Sequence, residues 1–347
     1  MQVPDEVHQA GRCQAGPRTW AFSTKNYMAS RNGWILCAAG AVSLCAQQAS
    51  ISGPIGGYVF DTRAHSLRVI RGVPGASLIG DGVDFGTGIT NAWVAPKLDA
   101  ALTVTAEGVA RLFRLDGGKA TERMVEGLVV PDRAVFSPSG TALVLVTRGN
   151  AQVIKGLPDA PVVAGTVELP QDRSVATRAD AGGRLRRSGV GAVAVSDDGS
   201  YLLYGSSGAV ELLGISGDSR KLTDAGPGAL LAFAPGGHDA AVVDPGTVAF
   251  FQDVAGAATV RRLPGIAGGK GAAFSPDGGR LFVAAASVTV VDVATVERRE
   301  IACECRPSGL VRMGYAFRLN DLGTEPLWLL DVSADPKVVF VPARAGM

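Results

Sequence analysis

Phe274-Ser275-Pro276-Asp277-Gly278 stands between two apolar runs, Gly271-Ala272-Ala273 before it and Arg280-Leu281-Phe282-Val283-Ala284 after it. Proline followed by Asp-Gly favours a tight reversal, and alternating apolar residues on either side read as two antiparallel strands. Downstream, Ser287-Val288-Thr289-Val290-Val291-Asp292-Val293 is rich in β-branched side chains and reads as a third strand. Ala294-Thr295 then turns the chain into a fourth, Val296 to Ile301. The phrase returns as Phe136-Ser137-Pro138-Ser139-Gly140, Val195-Ser196-Asp197-Asp198-Gly199 and Phe233-Ala234-Pro235-Gly236-Gly237, with a worn copy at Val94-Ala95-Pro96-Lys97. Successive copies begin 42, 59, 38 and 41 residues apart. A period near 40 with strands on both sides of each turn is what stacked four-stranded blades produce.

The outer half of the unit repeats as well. Hairpins in which Asp or Gly precedes a charged final strand occur at residues 58–70, 109–124, 152–167, 210–222, 248–263, 288–301 and 327–341. The inner hairpin is clear six times, the last at 310–319. The expected fold is all-β: a single propeller of four-stranded antiparallel blades, with seven favoured over six. On this reading the first blade is incomplete or is completed by strands between Gln47 and Gly57. Asp61 and Ile70 have the same spacing as Asp292 and Ile301, which makes the first outer hairpin a counterpart of the sixth. One blade cannot cover both of its apolar faces, so its neighbours must cover them.

Composition agrees. Apolar residues make up 47% of the 347 and aromatics 6%, while 46 glycines and 19 prolines supply turns. The 33 basic side chains nearly balance the 32 acidic ones, so no field of either sign recruits nucleic acid or an anionic membrane. Trp34 to Ala46 is an apolar run behind Arg31 that is too short to span a bilayer and ends in small residues, as signal peptides do. The expected organisation is a non-native extension at 1–27 with the true start at Met28, a signal peptide at 28–46, and the propeller at 47–347. The mature chain is expected to be exported to the periplasm, cell surface or medium, with no transmembrane segment, and to be monomeric.

Processing would remove three of five cysteines and leave Cys303 and Cys305, in a compartment where disulfides persist. A local Cys303–Cys305 disulfide is expected, with metal binding by the two thiolates as the alternative. His65 and His238 fall in turns and read as exposed, and no Gly-Xaa-Ser-Xaa-Gly elbow accompanies them, so no nucleophilic triad is expected. Gly268-Gly269-Lys270-Gly271 lacks the first glycine and the hydroxyl of a phosphate loop. Asp81, Asp84 and Asp99 lack calcium-loop spacing and read as turn carboxylates. No catalytic residue, cofactor or metal site is therefore expected.

Two segments exceed the period. Gln171 to Ser188 is an insertion carrying Arg173, Arg178, Arg184, Arg186 and Arg187 beside glycines. It is either a cationic interaction loop on a rigid scaffold or a merely solvated one. A second excess, rich in Gly and Asp, lies around Ile79 to Thr90.

The phrase Phe274-Ser275-Pro276-Asp277-Gly278, with Leu281-Phe282-Val283 and Val290-Val291-Asp292-Val293-Ala294-Thr295, resembles the YVTN and WD40-like (PD40) β-propeller repeats of bacterial exported proteins. The resemblance extends through weaker copies from about Ala92 to Val341, without the Gly-His and Trp-Asp marks of true WD40 repeats. It implies the fold and an exported location, and not a particular function. Quinone-dependent propellers are also similar, but they pair directly adjacent cysteines, whereas Glu304 intervenes here. The functional expectation is a non-enzymatic binding or scaffold module for a protein or cell-envelope macromolecule. The alternative is a propeller hydrolase or lactonase with a metal in its central tunnel.

Overall fold

The computed structural model describes residues 53–170, 178–179, 185–186, 191–206, 208–323 and 325–342. Among them there is no helix, and hence none long and apolar enough to cross a membrane. The first sheet contains β1 (Ile55–Asp61), β2 (Ser66–Val73) and β3 (Ala76–Gly82). The second contains β4 (Ile89–Val94), β5 (Ala100–Thr105), β6 (Ala110–Asp116) and β7 (Lys119–Arg123). The third contains β8 (Arg133–Phe136), β9 (Ala142–Thr147), β10 (Asn150–Lys155) and β11 (Val162–Glu168), followed by the two-residue ladder of β12 (Arg178–Ala179) with β13 (Leu185–Arg186). The fourth contains β14 (Val193–Val195), β15 (Tyr201–Gly205), β16 (Ala209–Gly214) and β17 (Ser219–Asp224). The fifth contains β18 (Leu230–Phe233), β19 (Ala240–Val243), β20 (Thr247–Gln252) and β21 (Thr259–Pro264). The sixth contains β22 (Gly271–Phe274), β23 (Arg280–Ala284), β24 (Val288–Asp292) and β25 (Arg298–Ile301). The seventh contains β26 (Val311–Met313), β27 (Ala316–Arg318), β28 (Leu327–Asp331) and β29 (Lys337–Val341).

The first strands of the seven sheets form a ring, β1 beside β4, then β8, β14, β18, β22 and β26, which returns to β1. The molecule is a seven-bladed β-propeller. Its cohesion is visible in the packing: the described residues form seven buried apolar clusters, one between each adjacent pair of blades. Strand β9 shows why. Leu143 and Leu145 pack toward the second blade while Ala142, Val144 and Val146 pack toward the fourth, so the two-residue strand period serves both neighbours at once.

The recurring phrase makes the turn of the inner hairpin in the second to sixth blades. Ser137, Ser196 and Ser275 are buried, and each hydroxyl accepts a hydrogen bond from the backbone N–H five residues on, in Ala142, Tyr201 and Arg280. The closing glycines Gly140, Gly199 and Gly278 adopt positive φ, and in Gly140 a Cβ would stand 3.2 Å from Ala95 of the preceding blade. Serine and glycine in the phrase therefore answer two demands, a buried acceptor and a left-handed backbone against a neighbour.

The first blade corrects one expectation. Its hairpin at 58–70, expected at the outer edge, forms β1 and β2, with β1 innermost. Asp61 still makes the same local turn as Asp292, accepting from the N–H groups two and three residues on. What moves the hairpin inward is β3, which adds outside β2. The excess around Ile79 to Thr90 supplies the end of β3, a return segment outside any strand and the start of β4. The return, residues 83–88, buries Val83 and Phe85 against the second blade, with Phe85 and Phe113 rings 4.8 Å apart. Six residues reach at most about 20 Å, and this return leads the chain to the start of β4. The ring closes without a shared sheet, since each described sheet is continuous in sequence. Met313, Leu327, Leu329 and Val341 of the last blade pack on Val59, Ile70 and Ile79 of the first. Gly57 permits this approach, because a Cβ there would lie 2.9 Å from the Met313 sulfur.

Candidate functional site: the central cavity

All seven first strands run in the same sense through the ring, so the propeller has two distinct ends. At one end lie the inner hairpin turns; at the other, the connections that lead from one blade into the next. The first strands enclose a cavity of about 490 Å³. Phe60, Trp93, Phe136, Leu231, Leu310 and Val311 contribute to an apolar wall. Arg133, Lys270, Arg312 and Arg318 also line it, and among the described residues no carboxylate does.

These cations occupy different depths. Arg133 begins β8 and Lys270 immediately precedes β22, so both stand at the connection end. Arg318 pairs with Val311 near the same end, and its guanidinium lies 3.0 Å from Asp321. Arg312 sits one residue before the last inner turn. Its Nε donates to the Gly314 carbonyl at 3.2 Å, and Nη1 donates to the Pro138 carbonyl at 2.8 Å. Pro138 belongs to the third blade, so Arg312 crosses the lumen and obstructs its turn end.

A chain of turn contacts surrounds that crossing. Gly314 N donates to the Pro96 carbonyl at 2.6 Å. Asp197 accepts from Ser139 N and Oγ at 2.6 and 2.7 Å and from Gly236 N at 2.8 Å. The turn end is thereby laced across five blades. The connection end carries Arg133 and Lys270, whose side chains have no hydrogen-bond or ion-pair partner among the described residues. Solvent reaches Arg133 through the cavity, yet the surrounding wall lowers its pKa by desolvation. Burial does the same to Arg312 and Arg318, opposed by Asp197 and Asp321 respectively. Arginine stays charged under such shifts, so the cavity is electropositive.

Of the residues that stand out in the sequence, Cys303 and Cys305 are joined through sulfur in the connection between β25 and β26, with Cα atoms 5.0 Å apart. They pack in the cluster between the last two blades, away from the cavity wall. Arg178 and Arg186 pair in the β12–β13 ladder, while Arg173, Arg184 and Arg187 and residues 1–46 lie outside the described residues. His65 is exposed in the β1–β2 turn with φ of 47°. His238 corrects the exposed-turn expectation: it is half buried, with Nε2 3.1 Å from Asp198 Oδ2 and its ring 5.0 Å from Tyr201. Burial pushes the Asp198 carboxyl upward, but hydrogen bonds from Ser196, Ser200 and His238 outweigh it and hold the group far below the usual carboxylate range. Asp84 accepts from Gly86 N within its own turn, and Asp99 is raised by burial, with Lys97 nearby. Among the described residues no three His, Cys, Asp or Glu side chains converge as a metal site would require.

Sequence reasoning missed the four cavity cations. Lys270 stands out in the sequence only within a phrase like a phosphate loop, and Arg133 does not stand out at all. The available signal was a basic residue leading an inner strand whose counterparts in other blades are Gly, Ala, Leu or Asn. Which of those residues faces the lumen is fixed by closure of the ring.

No known family profile matches the chain, and no curated protein matches it either. Among solved structures, a functionally unknown protein from Desulfotomaculum acetoxidans is 15% identical, with a TM-score of 0.55 over 84% of this chain and 95% of that one. A candidate 6-phosphogluconolactonase from Bacteroides fragilis is also 15% identical, with a TM-score of 0.54 over 83% of this chain and 94% of that one. At such identity the likeness establishes the propeller fold alone.

Proposed function

We propose that this chain is an exported, non-enzymatic propeller of the YVTN or PD40 repeat type that binds a protein or cell-envelope macromolecule through its connection end. One observation carries the reading. Connections between blades are short except the one from β11 to β14: its flanking strand ends, Glu168 and Val193, lie at the connection end with the cavity cations, and its sequence carries the Arg-rich insertion. A rigid ring with one long connection whose sequence is rich in arginine is suited to hold a contact surface in place. The proposal includes export after removal of residues 28–46 and a monomeric mature chain.

The rival reading, a hydrolase with a metal in the tunnel, finds little support in the wall chemistry. A divalent cation needs oxygen or imidazole donors, and four cationic side chains would repel it. Deletion of residues 171–188 tests the proposal. A partner recovered from envelope extract with the full chain should be lost with the deletion variant, while the melting temperature stays nearly unchanged. A large fall in melting temperature would make the insertion structural, and stoichiometric calcium or zinc in purified protein would favour the hydrolase.

A further inference from the structure

Beyond the contact surface just proposed, the cavity itself has the chemistry of a second site. We propose that it binds a small organic anion: an apolar body bearing a carboxylate, phosphate or sulfonate that is held between Arg133 and Lys270.

Four features of the cavity support this. Its volume, about 490 Å³, lies in the range of small-molecule sites, roughly 300–1,000 Å³. The charge is one-sided: among the described residues four cations and no carboxylate line the wall of a protein whose formal net charge is only +1. Concave, low-dielectric walls concentrate such a field on whatever enters. Arg133 and Lys270 are also uncommitted, whereas Arg312 is bonded to carbonyls and Arg318 to Asp321. They stand on the third and sixth blades, three apart in the ring of seven, so they reach in from opposite walls. An anion between them would gain charge-assisted hydrogen bonds from both.

The wall explains why the ligand needs an apolar body. Val311 lines the cavity and is 44% exposed, and Trp93 and Leu231 are only half buried there. These surfaces are covered in the complex by an apolar moiety, which inorganic phosphate lacks. Arg312 obstructs the turn end, so entry is from the connection end, where the anion meets Arg133 and Lys270 first.

The test uses 8-anilinonaphthalene-1-sulfonate, an aromatic sulfonate, and its uncharged relative N-phenyl-1-naphthylamine. The sulfonate should bind the full chain saturably at one site and more tightly than the neutral compound. Arg133→Met combined with Lys270→Met should weaken the sulfonate about tenfold or more and leave the neutral compound unaffected. Equal binding of the two compounds, an unchanged sulfonate affinity in the double variant, or no saturable binding would overturn the proposal. A second measurement does not depend on variants: phenylglyoxal should modify Arg133, as mapped by mass spectrometry, and the sulfonate should block it. Modification at an undiminished rate would likewise refute the site.

Discussion

Arg312 of the seventh blade donates a 2.8 Å hydrogen bond to the carbonyl of Pro138 in the third, and so ties two nonadjacent blades across the middle of the ring. Apart from this bond and that of Gly314 N to the Pro96 carbonyl, the packing of the blades runs between neighbours, each blade covering the next. A bond across the lumen restrains the ring as a whole and obstructs its turn end.

Arg312→Met removes the Pro138 and Gly314 contacts while keeping an apolar stem of similar length. Two charge-assisted hydrogen bonds to carbonyls are lost, and the expected destabilisation is about 2 kcal/mol. Differential scanning calorimetry should show a lower melting temperature with native circular dichroism retained. An unchanged melting temperature would mean that the crossing contributes nothing to stability.

Asp197 collects three donors from the turns of two other blades, Ser139 N and Oγ and Gly236 N. Asp197→Ala leaves them without a common acceptor and should cost about 2–4 kcal/mol. Ser139→Ala, which removes only one donor, should cost about 1 kcal/mol or less. Chemical denaturation of both variants checks the ratio.

Several turn carboxylates are held below the ordinary range. Hydrogen bonding from Ser275 lowers Asp277, and hydrogen bonds outweigh desolvation for Asp61 and Asp198. A carboxyl with a depressed folded-state pKa adds stability above its unfolded value of about 4 and loses it as pH falls through the folded value. The melting temperature should therefore be flat near neutrality and fall steadily as pH drops below about 4. Asp198→Asn should flatten that acid limb; an identical acid limb in the variant would show that Asp198 is not responsible.

Closure rests on side chains rather than a shared sheet, so the seam between first and last blades is sensitive to volume. Met313 is buried there against Val59 and Ile70. Met313→Ala should destabilise by about 2–5 kcal/mol. Limited proteolysis should then cut within the first blade earlier than in the parent. Cleavage first in an interior blade would contradict the seam as the weak point.

Unfolded, unreduced mature protein should contain no free thiol if Cys303 and Cys305 are paired as the structure has them. Titration with a thiol reagent should read zero before reduction and two per chain after it. N-terminal sequencing of protein recovered outside the cytoplasm should begin just after Ser43 or Ala46. Two free thiols before reduction, or a retained Met28, would refute disulfide and processing respectively.

The repeating phrase, its spacing near 40 residues and the strand alternation made the blade legible in advance, and the sixth blade's strands lie close to where its residues placed them. Those features are local. A serine that accepts from its own hairpin, a glycine at positive φ and apolar residues on both faces are each decided within one blade, so a single chain of letters carries them. The innermost place of Tyr58 and Phe60, the partnership of His238 with Asp198 and the reach of Arg312 to Pro138 are not local: each joins residues from different blades or depends on which strand lies nearest the axis. The amino-acid sequence by itself determined what one blade is and that about seven of them follow one another. The closed ring alone decided which side chains meet at its centre, because apolar burial between neighbours fixes the curvature, and the curvature brings cations of the third, sixth and seventh blades around one small cavity.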